Sequence, residues 1–171
     1  MLERWNAGTM VTAGDIVMQG RADGDLVAYH AVTGKELWRF FVGSGISAPP
    51  VTYAVDGKQY IAILVGWGGA ASGLGGNLAV DLGWSYGIHM RRLISFSLDG
   101  AEVLPESPPP YMVRPIDAPE FHVDPELAAN GKTEFEIICN WCHGPDALAT
   151  GMAPDLRASG VVLSQELFAR V

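Results

Sequence analysis

Short apolar and β-branched runs, broken by turn residues, fill the first third of the chain. They read "TMVTAG", "DIVMQG", "DLVAYH", "ELWRFFVG", "APPVTYAV" and "QYIAILVG". Runs of this length, separated by Gly, Asp and Asn, predict β-strands and tight turns. Asp23-Gly24 and Asp56-Gly57 each lie between two apolar runs, a strong hairpin cue. Regular short strands suggest an all-β sandwich, barrel or propeller. Residues 66–87 are dense in glycine and read either as a long surface loop or as a loop packed on a flat ligand. "RRLISFSLDG" adds one more strand and turn. Residues 101–125 are rich in proline, which favours an extended tether. After it the period becomes helical. Asp124 is placed to cap, and Pro125 suits the first helical position. Gly131 interrupts the pattern, so a firm helix is predicted from about Lys132. The expected organisation is therefore a β-rich segment over 1–100, a proline-rich linker over 101–124 and a helical segment over 125–171.

Composition narrows the partners. The formal net charge of −8 argues against nucleic acid. No apolar run approaches membrane-spanning length, and the N-terminus lacks the basic and apolar regions of a signal peptide. The chain has only two cysteines, too few for a disulfide scaffold or a four-thiolate metal site.

Both cysteines stand in "CNWCHG", Cys139 to Gly144. C-x-x-C-H is the attachment signature of c-type haem. Residues at i and i+3 share a face of one helical turn, so Cys139 and Cys142 can form thioethers to the two vinyl groups of one porphyrin. His143 shares that face and can reach the iron as an axial ligand. Two other readings compete. A thioredoxin-like motif would need a βαβ setting, which is not visible. Zinc would need two more ligands, and the spacing of His122 fits no standard site. The remaining histidines, His30, His89 and His122, read as surface or turn residues rather than ligands.

Gly131, Phe135, Cys139, Cys142, His143 and Gly144 together resemble the first helix of the class I cytochrome c family. Glu134 departs from the aliphatic residue usual before the aromatic. "APDL", Ala153 to Leu156, resembles the family loop whose proline carbonyl holds the axial histidine. The resemblance gives that role to Pro154. It also implies a methionine on the iron's other face. Met152 lies on the histidine side, so that ligand is expected beyond residue 171.

The β-rich segment carries a second resemblance. "AYHAVTGKELW", Ala28 to Trp38, reads as strand, tight turn and strand. It is similar to the tryptophan-docking repeat of quinoprotein dehydrogenases, in which the tryptophan stacks between neighbouring blades. His30 stands where the repeat usually has aspartate, which puts one hydrogen bond of the turn in question. With "PVTYAVDGKQYIAILVGWGGA" and "RLISFSLDG", the order of blades, proline linker and C-x-x-C-H resembles the PQQ-dependent quinohaemoprotein alcohol dehydrogenases.

That resemblance implies the last blades of an eight-bladed all-β propeller, followed by a truncated all-α class I cytochrome c domain. It implies a periplasmic enzyme that oxidises primary alcohols to aldehydes with PQQ and calcium. Electrons would pass through haem c to a cytochrome, an azurin-like protein or a quinone. The catalytic aspartate, the calcium ligands and a vicinal disulfide lie upstream in that family, so no catalytic residue is assigned here. The fragment alone is expected to be inactive. Gly66, Trp67 and Gly68 fall in the family's stretch near PQQ, with Trp67 as simple blade packing an equal reading. The alternative is a small c-type electron-transfer protein with a β-rich docking domain.

Overall fold

The computed structural model describes residues 7–67, 80–84 and 86–171. The chain divides into two compact units, one of residues 1–67 with 90–109 and one of residues 68–89 with 110–171.

The first unit contains two antiparallel sheets. Strands β1 (Thr9–Val11), β2 (Ile16–Gly20), β3 (Asp25–His30) and β4 (Glu36–Phe41) form a four-stranded meander in that order. Strands β5 (Val51–Val55), β6 (Lys58–Val65) and β7 (Arg92–Phe96) form the second sheet. Each strand falls within a run that the sequence pattern marks, except that β6 begins one residue earlier, at Lys58. Both Asp-Gly turns form. Gly24 has φ of 91°, and Asp56 and Gly57 have φ of 50° and 77°. Two adjacent left-handed residues match the twist of a two-residue hairpin.

The core of this unit joins the two sheets. Met18, Leu26 and Ala28 meet Val42, Ile46, Ile63, Val65 and Ile94. Burying each large aliphatic side chain contributes about 1.5–3 kcal/mol. Gly20 is required where Ile46 crosses, because a Cβ there would lie 2.3 Å from Ile46 Cγ2. Trp38 on β4 meets Phe96 on β7 edge to face, with centroids 5.6 Å apart, and stacks on Phe40. It therefore bridges the two sheets.

The second unit holds the helical segment. Helix α1 (Pro125–Glu134) is capped by Asp124, whose carboxylate accepts from the N–H groups of Glu126 and Leu127. The helix starts seven residues earlier than Lys132. Gly131 does not break it, because the cap and the first-position proline secure the start and glycine costs only about 1 kcal/mol in a helix interior. A π-helical turn (Phe135–Cys139) and helix α2 (Asn140–His143) follow directly. Beyond them come single turns at Pro145–Ala147, Leu156–Ala158 and Gly160–Leu163, then helix α3 (Gln165–Phe168), capped by Ser164.

The proline-rich stretch contains no regular element, but it is pinned at both ends. Arg92 donates to the carbonyls of Pro105 and Glu106 in the first unit. In the second unit Arg157 donates to Val113 O, and Ile116 N donates to Arg157 O.

Candidate functional site

The C-x-x-C-H motif sits where α1 runs out through the π turn. The extra residue in such a turn shifts the side chains that follow around the axis, and turns of this kind are common at functional positions. The indole N–H of Trp141 donates to Ile137 O, which occupies one carbonyl of this irregular turn. Cys139 and Asn140 keep right-handed helical angles, so Cys139 and Cys142 stand one helical turn apart. Both are free thiols, Cys139 half-buried and Cys142 exposed.

Gly144 ends α2 with φ of 83° and ψ of 161°. Only glycine fits there, since a Cβ would lie 2.0 Å from Leu148 O. The chain then turns back through Asp146 and Ala147, both left-handed, at φ of 53° and 60°. Asp146 is held from several sides. Its N–H donates to Glu136, its carboxylate accepts from Tyr86, and Lys132 pairs with it at 3.7 Å.

This reversal brings Pro154 to His143. His143 Nδ1 lies 2.9 Å from Pro154 O. A carbonyl oxygen only accepts, so Nδ1 carries the proton and Nε2 is the nitrogen with a free lone pair. That is the arrangement a ligating histidine needs, with one nitrogen oriented by a backbone acceptor and the other available to metal. Exposed apolar side chains cluster in the sequence around the motif: Ile137, Ile138, Trp141 and Met152. Two thiols one turn apart, a histidine with Nε2 free and nearby apolar surface form a donor set that fits haem c.

Two residues of this loop escape sequence reasoning. Asp155 is buried, its side chain 2% exposed, and pairs with Arg157 at 2.8 Å. Its carboxylate also accepts from the N–H groups of Ala149 and Arg157. Burial acts to raise its pKa, but the hydrogen bonds from Arg157 and the backbone outweigh it and hold the carboxyl below its ordinary value. The signal available in the sequence is the Asp-x-Arg pair directly after Pro154. His89 is a further surprise, because it is buried rather than on the surface. Its Nε2 donates to Tyr86 O, its ring meets Trp84 edge to face, and burial lowers its pKa.

Gly66 and Trp67 belong to the first unit, and Gly68 lies outside the described residues. Trp67 is 1% exposed. Its ring lies against Gly45, where a Cβ would come within 2.7 Å of Cε3. Gly66 has its own close neighbour in Arg91, whose Cγ would be 2.9 Å from a Cβ. The indole N–H has no hydrogen-bond partner among the described residues. A ring this buried packs within the first unit. Among the described residues no three His, Cys, Asp or Glu side chains converge as a metal site.

Residues 3–61 match the family described as the glucose/ethanol/alcohol dehydrogenase β-propeller domain of the PQQ type. Together with the antiparallel sheets, that match supports a β-propeller fragment. The chain is 41% identical over 168 residues to the dehydrogenase subunit of a quinone-dependent alcohol dehydrogenase from Gluconacetobacter polyoxogenes. The match takes in 98% of this chain and 22% of that protein. It is also 41% identical over 156 residues to the quinohemoprotein alcohol dehydrogenase ADH IIB of Pseudomonas putida, covering 91% of this chain and 22% of that one. The solved structure of ADHIIG from Pseudomonas putida HK5 superposes with a TM-score of 0.69 at 34% identity, over 96% of this chain and 25% of that chain. The chain is thus related to the PQQ-dependent quinohaemoprotein alcohol dehydrogenases and spans about a fifth of the length of these curated relatives.

Proposed function

We propose that this chain is the electron-exit portion of a PQQ- and haem c-dependent alcohol dehydrogenase. The observation that carries the reading is the contact of His143 Nδ1 with Pro154 O, next to two free thiols one turn away. Cys139 and Cys142 would hold the porphyrin covalently. His143 would bind the iron through Nε2, and Pro154 would fix the ring's orientation and tautomer. These residues form the start of a class I cytochrome c domain. When bound, haem c supplies one-electron transfer between the reduced quinone and an external acceptor.

In the complete enzyme, PQQ would take two electrons from a primary alcohol and release an aldehyde, with calcium beside it. The acceptor would be a cytochrome, an azurin-like protein or a quinone, and the compartment the periplasm, where c-type haem is attached. Relatives of the chain bear names such as quinohemoprotein alcohol dehydrogenase and 1-butanol dehydrogenase (cytochrome c). Gly66, Trp67 and Gly68 would lie near the quinone pocket. The 171-residue chain would have no alcohol oxidation of its own.

The test is expression of the chain in a bacterial periplasm with haem-attachment machinery. A haem spectrum should survive denaturation and removal of free haem, and the double variant Cys139→Ser/Cys142→Ser should lose it. Absence of covalent haem in the parent chain overturns the reading. Alcohol-dependent dye reduction by the purified chain with PQQ and calcium would overturn the expected inactivity.

A further inference from the structure

Among the described ion pairs of the second unit, that of Asp155 with Arg157 is the most buried. Asp155 Oδ1 accepts from the backbone N–H of Arg157 at 3.0 Å and from its Nε at 3.0 Å. Oδ2 accepts from Arg157 Nη2 at 2.8 Å and from Ala149 N at 3.2 Å. The carboxylate therefore joins both ends of the loop 149–155. Thr150 within that loop is 1% exposed. Pro154 is the residue directly before Asp155, so the position of its carbonyl is set by this closure. The guanidinium is a planar fork, which suits two-point engagement of a carboxylate.

Arg157 also faces the other way. Nη2 donates to Val113 O at 3.1 Å, and Arg157 O accepts from Ile116 N at 2.8 Å. One residue thus clamps the segment 113–116 at two points. A continuous set of bonds runs from Val113 through Arg157 and Asp155 to the loop that carries Pro154, and from Pro154 O to His143.

We propose that Arg157 is a positioning residue for His143, and that segment 113–116 helps set the geometry of the axial ligand through it. The proposal rests on the reading of His143 as the iron ligand. The physical reason lies in the backbone acceptor. A carbonyl held close to Nδ1–H makes Nε2 a stronger donor, which favours ferric over ferrous iron. If the loop 149–155 loosens, the bond lengthens, the donor weakens and the reduction potential rises. Releasing Val113 removes one of the two bonds by which Arg157 holds segment 113–116, beside the Tyr111–Ile88 pair, so this segment opens more often.

The experiment uses the full chain matured with covalent haem, in four forms: parent, Arg157→Ala, Arg157→Lys and Arg170→Ala. Arg170 pairs with Glu166 on the exposed helix α3 and serves as a control ion pair. Three quantities are read: covalent haem after denaturation, the reduction potential by spectroelectrochemical titration, and the rate of proteolysis within residues 110–117. The expected result is covalent haem in all four. In R157A the potential shifts upward and cleavage of the linker quickens about ten-fold or more. R157K, which keeps the charge but not the fork, gives smaller changes in the same directions, and it decides the matter should R157A fail to fold. R170A matches the parent. An unchanged potential in the arginine variants overturns the proposal, and so does a shift in the potential without faster linker cleavage. Loss of covalent haem already in the parent chain would instead overturn the haem reading on which this one stands.

Discussion

Asp155 is flanked by groups that need its charge. Three N–H donors of Arg157 and one of Ala149 point at a carboxylate that is nearly withdrawn from water. Its folded-state pKa lies below the ordinary aspartate value of 3.8. A carboxyl lowered on folding contributes stability that is fully present above its unfolded value. That stability is lost as pH falls through the folded value. The second unit should therefore lose resistance to urea as pH drops below about 4. Asp155→Asn should remove part of that acid dependence while lowering stability at pH 7 by about 1–3 kcal/mol, because an amide cannot accept from all four donors. Urea titrations at pH 7 and pH 3.5 check both effects. Equal acid sensitivity in the variant and the parent would assign it to other carboxylates. Of the candidate site, Cys139, Cys142 and His143 were readable because their spacing is itself the chemistry. Asp155 and Arg157 were not, since an Asp-x-Arg pair is a local signal for an ion pair but does not show that the carboxylate will be buried.

The turn between β3 and β4 shows how an element can be right while its chemistry is unexpected. The tight turn was legible from Thr33-Gly34, and Gly34 adopts φ of 68°. His30 at the position of the usual aspartate put one hydrogen bond of the turn in question. The structure keeps the interaction with a different atom: His30 Nδ1 accepts from Val32 N at 3.2 Å and from Thr33 N at 3.4 Å. His30→Asp should leave stability within about 0.5 kcal/mol of the parent, and His30→Ala should lower it by about 0.5–1.5 kcal/mol. Chemical denaturation of the three proteins, followed by tryptophan fluorescence, measures the difference. A harmless alanine would mean that the ring nitrogen contributes nothing to the turn. The helix α1 misjudgement has a similar origin. Propensity weighed against Gly131, yet the cap from Asp124 dominated at the helix start, and a Cβ at Gly131 would meet nothing within 4 Å.

Across the molecule, the second sheet leaves one apolar face open. Pairing of Tyr53 with Tyr60, of Val51 with Ala62, and of Leu64 with Leu93 puts these side chains on one side. Val51 is 55% exposed, Leu64 60% and Leu93 70%. Propeller blades bury such faces against the next sheet, and the relatives that share this fold are more than four times as long as the stretch they share with this chain. The isolated chain is predicted to self-associate through this face. Leu93→Lys should shift it toward monomer in size-exclusion chromatography with light scattering. A monomeric parent chain at tens of micromolar would refute the prediction. The net charge of −8 opposes association only weakly at physiological salt, where exposed charges are screened.

Strand positions, both Asp-Gly hairpins, the Asp124 cap and the haem-attachment spacing depend on neighbours within a few residues. For that reason the chain's order of residues determined them by itself. The docking of Trp38 on Phe96, the burial of Trp67 against Gly45 and the clamp of Arg157 on Val113 were decided only by the tertiary structure. Each joins residues well separated along the chain. Whether such groups meet depends on which surfaces the packed chain removes from water, and that is a property of the whole assembly of contacts rather than of any local pattern.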